Sequence, residues 1–270
     1  MPSPGRRFIH ELPHLNTIKV GLLHLKPNAV NETITHCCRM VVRESDDPTL
    51  PLWRSGSATL VRYAGARYVI VSRHELGLGK GEIPSREILE TIRISCGSGQ
   101  LSNIPLKSCI FETSNLEEEF HDILIFEAAD EWDTQTADAP YFFPLAAFST
   151  LSRKKSFVVG YPTRVDVMEE YYERFYGDSI GTIHILRSIF SCDFDASYLS
   201  NAKHYRRYLT TGNFSNLDGY SGGAVFSLVG GLEDWEILLD GVVLRGGAGQ
   251  VYVVDADFLV KAIEGRPWHA

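Results

Sequence analysis

No run of this chain approaches eighteen consecutive apolar residues, so a membrane-spanning helix is not expected. The segment from Met1 to Leu15 carries Arg6 and Arg7 with no apolar core behind them, so no secretory signal is visible. Long runs of like charge are missing too. The formal net charge of -8 is opposite in sign to a nucleic-acid footprint. Cysteine is scarce: Cys37, Cys38, Cys96, Cys109 and Cys192 make an odd count of five, at spacings that match no zinc pattern. They are expected to be reduced, mostly buried thiols, in keeping with a reducing, cytoplasmic setting. Helical periodicity is sparse, and no internal repeat is readable.

What the 270 residues do contain is β-type sequence. Hydrophobic residues make up 44% and charged residues 22%, which is ordinary for a globular chain and enough to build a core without staples. Short apolar or alternating runs fall at 57–63, 67–73, 90–95, 104–112, 122–127, 156–161, 180–190, 224–229, 236–244 and 250–254, with Gly, Pro, Ser and Asn between them. Ala64-Gly65-Ala66 reads as the turn of a hairpin. Many short strands with turn signals predict a barrel or sandwich, not a βαβ sheet. One helix is expected at 257–264, with Asp255 or Asp257 as its N-cap and Gly265 at its stop. The stretch 168–176 suits a helix or a strand. A polar, proline-containing stretch at 134–140 divides the chain into 1–140 and 141–270, two halves of one unit.

Three segments carry chemistry. Gly219-Tyr220-Ser221-Gly222-Gly223 precedes the apolar run Ala224-Val225-Phe226. Glycines on both sides let a serine sit on a sharp turn with its hydroxyl exposed, and let backbone N–H groups converge on one small space where they can hold an oxyanion. The pattern also occurs in plain glycine-rich turns. His74 ends the run Tyr68-Val-Ile-Val-Ser-Arg-His, and a lone histidine there is more often structural than chemical. Asp122 opens Asp-Ile-Leu-Ile-Phe, sharing a face with Leu124 and Phe126, where a carboxylate needs a hydrogen-bonded partner. The three together say more than each apart. Their order is His, Asp, Ser, with separations of 48 and 99 residues.

On these residues the chain resembles the trypsin/chymotrypsin-like peptidase superfamily, in particular its disulfide-free, HtrA-type bacterial branch. Gly56-Ser-Ala-Thr-Leu-Val61 is similar to the strand that precedes the histidine strand, and Phe157-Val-Val-Gly-Tyr-Pro162 to a second-barrel strand. Asp240-Gly-Val-Val-Leu-Arg245, Val251-Tyr-Val-Val254 and a last helix are similar to the superfamily's ending. The likeness covers most of 50–265. Ser72-Arg73 before His74 and Tyr220 before Ser221 depart from the usual small or different residues, and no cysteine pair brackets His74.

The resemblance implies an all-β fold of two six-stranded antiparallel barrels with a short C-terminal helix. It implies Ser221 as nucleophile, His74 as general base and acid, Asp122 as the group that orients the imidazole, and the N–H groups of Gly219 and Ser221 as the oxyanion hole. Ser215, six residues before the nucleophile, matches the pocket floor, and Val243, Leu244 and Arg245 match its wall. A protein or peptide substrate follows, with no cofactor and no metal. No nucleic-acid or membrane partner is expected, and a regulatory partner is left open. An inactive binding module on the same fold and an esterase are the alternatives to an active endopeptidase.

Overall fold

The computed structural model describes residues 17–44, 52–79, 82, 84–95, 104–110, 122–129, 141–149, 151–162, 170–176, 179–185, 187–199, 203–212, 216–230 and 234–265. In chain order the elements are β1 (Ile18–Val20), β2 (Leu23–Leu25), α1 (Pro27–His36), β3 (Cys38–Glu44), β4 (Leu52–Tyr63) and β5 (Ala66–Ser72). After a 3-10 turn at His74–Leu76 come α2 (Arg86–Thr91), β6 (Ile92–Ile94), β7 (Leu106–Ile110), β8 (Ile123–Ala128) and β9 (Phe143–Pro144). The remainder is β10 (Arg153–Gly160), β11 (Glu170–Tyr176), β12 (Ser179–Ile185), β13 (Ser188–Phe194), β14 (Tyr205–Thr210), β15 (Ala224–Gly230), β16 (Trp235–Gly247), β17 (Gln250–Asp255) and α3 (Ala256–Glu264).

The first sheet runs β6-β3-β4-β5-β8-β7, with β9 lying parallel on β4. The second runs β15-β10-β13-β14-β17-β16, and β15 also pairs with β16, so six strands close on themselves. The all-β double-barrel architecture expected from the sequence is present, with one difference. Among the described residues β6 and β7 do not pair, so the first half is a curled, open barrel and only the second is closed. β1 and β2 are added to the second sheet through a parallel pairing of β1 with β16. β11 and β12 form a hairpin of their own.

Period-two alternation decides what each strand faces. Val158, Phe190, Tyr208, Val225, Val251 and Val253 share one apolar cluster inside the closed barrel. Their neighbours in sequence, including Phe157, Val159, Phe226 and Val254, belong to the larger cluster that holds the first sheet and α3. β10, β15, β16 and β17 are thus apolar on both faces over much of their length, which is why these segments read as largely hydrophobic runs, whereas β14 carries Arg206 and Arg207 between its buried tyrosines.

A polar knot lies inside the closed barrel. Asp240 is 1% exposed and takes two hydrogen bonds from Arg153, Nε to Oδ2 and Nη2 to Oδ1, both 2.9 Å. Tyr208 donates to the same carboxylate at 2.7 Å, as does Ser227, whose hydroxyl in turn lies 2.6 Å from that of Ser156. The guanidinium also lies over the rings of Phe148 (4.2 Å) and Phe194 (4.8 Å). Burial penalises charge, but the bidentate pair keeps the arginine protonated, its pKa held above the ordinary value.

The sequence reading differs from this fold at several elements. α1 was not expected, although Pro27 opens it and Val30 and Ile34 bury one face at i, i+4 spacing. β3 and β14 were also unassigned. The strand expected at 90–95 begins two residues late, because Glu90 and Thr91 finish α2, whose N-cap Ser85 accepts from the Ile88 N–H at 3.3 Å. The run 180–190 is two strands, and of the two readings open for 168–176 the strand is the one present, at Glu170–Tyr176. For α3 the N-cap is Asp255, which accepts from Phe258 N–H at 3.1 Å. The expected linker at 134–140 lies outside the described residues. Among the described residues no helix is long and apolar enough to cross a membrane.

Removing one member of a buried pair leaves an uncompensated charge, which typically costs about 3–5 kcal/mol. Asp240→Ala is therefore expected to lower unfolding free energy by that order in urea titration. A double change to apolar residues, Arg153→Met with Asp240→Leu, is expected to recover most of the loss.

Candidate active site

Antiparallel register puts His74 and Asp122 side by side. Ser72 at the end of β5 pairs with Ile123 at the start of β8. One residue further out, the Arg73 N–H donates to the Asp122 carbonyl at 2.6 Å. The chain then turns into the 3-10 turn, so the Asp122 carboxylate meets residue 74 at two points. Oδ1 accepts the His74 backbone N–H at 3.0 Å, and Oδ2 lies 2.5 Å from Nδ1 of the ring. This clamp fixes which ring nitrogen carries the inward proton and leaves Nε2 facing outward. Nε2 lies 3.4 Å from Oε1 of Glu75.

Hydrogen bonding to Asp122, and then to Glu75, outweighs partial burial and raises the His74 pKa to about 10. The sign follows directly. The fold favours the charged ring, so this contribution to stability is full below the ring's ordinary 6.5 and is lost as pH rises through about 10. Arg73, beside it, is 1% exposed; its guanidinium donates to the Glu82 carbonyl, and burial lowers its pKa.

Ser221 sits on a loop whose backbone conformation only glycine adopts freely. Gly219 has φ +85° and Gly222 φ +79°. Gly223 N–H closes a turn on the Tyr220 carbonyl, and Gly222 N–H bonds the Val243 carbonyl, each at 2.8 Å. The loop is docked on the first sheet. Ser57 N–H donates to the Ser221 carbonyl at 3.1 Å, and Thr59 Oγ1 donates to the Gly222 carbonyl at 2.7 Å. A Cβ on Gly222 would clash with the Ser57 carbonyl and lie 3.2 Å from the N of Ser72, two residues before His74. The structure therefore brings the serine loop against the strand ends that carry the histidine and aspartate. Ser221 is 7% exposed, and among the described residues its hydroxyl makes no hydrogen bond to His74. Among those residues, too, nothing accepts the N–H of Gly219 or of Ser221.

The remaining expected residues fall differently. Ser215 lies outside the described residues. Val243 is buried in the closed barrel, and both its N–H and its carbonyl are engaged with the serine loop, through Gly223 O and Gly222 N. Leu244 is the residue left out of register by a bulge between Val243 and Arg245, and it is buried in the larger core. Arg245 is exposed, but its Nε donates to Tyr205 Oη at 3.0 Å and its guanidinium lies over Tyr252. Leu217 fills the space beside the Gly246 backbone. Two contributors were not foreseen. Ser57, fully buried, donates to the Gly219 carbonyl at 2.6 Å and accepts the Tyr161 N–H at 2.8 Å. Glu75 was readable only as the acid next to His74.

No family model matches the chain, and no curated protein does. Among solved structures, human heparin binding protein (HBP) is similar over 86% of this chain and 93% of its own, with a TM-score of 0.52 and 10% identity. The fold is that of the chymotrypsin-like serine proteases. At this identity the likeness carries the fold alone. A thermostable serine protease, AL20, from an extremophilic microorganism is similar at 16% identity and TM-score 0.46, over 82% of this chain and 91% of its own. The tobacco vein mottling virus protease is similar at 14% and 0.43, over 88% and 86%. None of these likenesses singles out the HtrA-type branch.

On this chymotrypsin-type frame the serine loop depends on Gly222. An alanine there must adopt positive φ, at about 1–2 kcal/mol, and must also push its Cβ into the Ser57 carbonyl. Gly222→Ala is expected to lower the melting temperature by several degrees. It should also undock the loop, seen as faster amide exchange at Ser57 than in the parent protein.

Proposed function

We propose that this protein is a serine endopeptidase acting through an acyl-enzyme on Ser221. The observation that carries the reading is the two-point clamp of Asp122 on His74, at the strand ends against which the Ser221 loop is docked. Orientation of the imidazole is what such a carboxylate supplies. It holds Nδ1–H inward, so that Nε2, once neutral, can take the Ser221 proton as Oγ attacks the peptide carbonyl. The oxyanion then formed would receive the N–H groups of Gly219 and Ser221. Collapse expels the amine, protonated by His74, and water cleaves the resulting ester by the same steps in reverse. The substrate is a protein or peptide. The chemistry calls for no cofactor or metal, and it needs no disulfide, in keeping with free, buried Cys37, Cys38, Cys109 and Cys192 and with a cytoplasmic setting.

A second reading, an inactive binding module on the same fold, is favoured by one observation. The outward nitrogen of His74 faces Glu75, and no bond joins the ring to Ser221 among the described residues. A serine-reactive fluorophosphonate separates the two. The peptidase is expected to be labelled at Ser221, and Ser221→Ala, His74→Ala and Asp122→Ala are each expected to lower kcat by about 10⁴–10⁶ with the fold intact. Combining the changes should add little, because the groups act as a unit. Retention of most activity in Ser221→Ala would overturn the assignment.

Specificity follows from what surrounds the loop. Cleavage after Lys or Arg requires a buried acid to pair with the substrate cation. Asp240 is committed to Arg153 inside the closed barrel, and Asp218 is exposed three residues before Ser221. Leu217 against Gly246 makes the adjoining wall apolar. Small or apolar residues are expected on the acyl side of the cleaved bond. A peptide-library digest read by mass spectrometry checks this, and cleavage mainly after Lys and Arg would refute it.

A further inference from the structure

Nothing in the general scheme above requires an acid at the outward nitrogen of the histidine, yet one is built in here. Glu75 follows His74 in the 3-10 turn, and its side chain is 12% exposed. It lies in a notch that exists because residue 56 has no side chain. A Cβ on Gly56 would fall 2.5 Å from the carboxyl carbon of Glu75 and 2.6 Å from its Oε2. The other oxygen, Oε1, is the one 3.4 Å from His74 Nε2. The turn itself is fastened from outside, since Arg43 Nη1 on β3 donates to the Leu76 carbonyl at 2.8 Å. Among the described residues the only cation in ion-pair contact with Glu75 is this imidazole.

We propose that Glu75 is a latch on the general base: in the resting protein its carboxylate holds Nε2 of His74, and it must let go before that nitrogen can take the Ser221 proton. The inference rests on the peptidase reading. Glu75 is a positioning residue and touches no substrate. With both ring nitrogens facing carboxylates, the imidazole is held as its cation. Release means that the Nε2 proton passes to water, the other proton stays on Nδ1 and remains hydrogen-bonded to Asp122, and Glu75 turns out of the Gly56 notch toward solvent. The charges around the ring work in opposite directions. Asp122 and Glu75 favour the cation. Arg73 and Arg43 are the cations near the turn: Arg73 donates to the Glu82 carbonyl and feels the charge of Asp122 and Glu82, and Arg43 donates to the Leu76 carbonyl. The acids win, and the His74 pKa stands near 10. Activity is therefore expected to rise with pH through the alkaline range instead of levelling off near neutrality.

The test pairs a measurement of the ring with a measurement of the serine. The His74 pKa is read by NMR titration in the Ser221→Ala protein, with and without Glu75→Gln. Fluorophosphonate labelling of Ser221 is followed against pH in the full-length protein and its Glu75→Gln variant. The expected result is a fall of at least about one unit in the His74 pKa and about tenfold faster labelling at pH 7, because the neutral fraction of the ring rises by that factor. Glu75→Ala should do the same, which guards against an effect peculiar to glutamine. An unchanged His74 pKa, or a labelling profile that does not move, overturns the latch. Absence of labelling in both proteins at every pH would instead sink the peptidase reading, while the NMR titration would still decide whether Glu75 holds the ring.

Discussion

Ser57 is a buried polar residue in a strand of the first sheet, and a buried hydroxyl must find partners. It finds them on two other segments: its Oγ donates to Gly219 O on the serine loop and accepts from Tyr161 N at the end of β10. Its backbone N–H also reaches Ser221 O. Three segments from both halves of the chain are thus tied at one side chain with no water-facing alternative. If this seam slipped, the serine loop would lose its seat against β4, and no arrangement of His74 with Asp122 could compensate. Gly222 and Thr59 continue the same seam. The barrels are hydrophobic constructions, but the site is placed by a short line of buried hydrogen bonds between them.

The two halves contribute differently to that site. The first sheet supplies the histidine–aspartate clamp through neighbouring antiparallel strands, so their approach is set by register and tolerates little variation. The second barrel supplies the serine on a glycine-rich loop anchored at Val243, and closure on all six strands gives that loop a rigid base. The Asp240 knot fills the inside of this barrel with a satisfied polar network. That explains why an acid so near the expected pocket in sequence is unavailable to a substrate.

Much of the fold was legible because strand alternation and turn residues are local signals. The hairpin 57–73, the strands after Ser221, and α3 with its Asp255 cap were read from short windows. α1 was missed because its single buried pair, Val30 and Ile34, is too narrow a stripe to stand out among Asn and Thr. The strand expected at 90–95 was misjudged at its start because a capping Ser85 recruits Glu90 and Thr91 into α2. Val243 and Leu244, expected beside a substrate, bury their side chains under the loop and in the core. A bulge shifts the register there, and bulges leave little trace in sequence.

The sequence by itself determined the residue types and their order: a histidine at a strand end, an aspartate opening an apolar strand, and a serine among glycines. Those features depend on neighbours within a few positions. Only the tertiary structure decided that Asp122 grips His74 at both its backbone and its ring, and that Ser57 seats the serine loop. Only it showed that Glu75 lies in a notch left by Gly56 and faces the outward ring nitrogen. Each of these joins residues that pairing or packing brings into contact, with distances of a few ångströms that no spacing along the chain encodes. Glu75 is the sharpest case. It adjoins His74 in sequence, but the direction of its carboxylate depends on a missing side chain nineteen positions earlier.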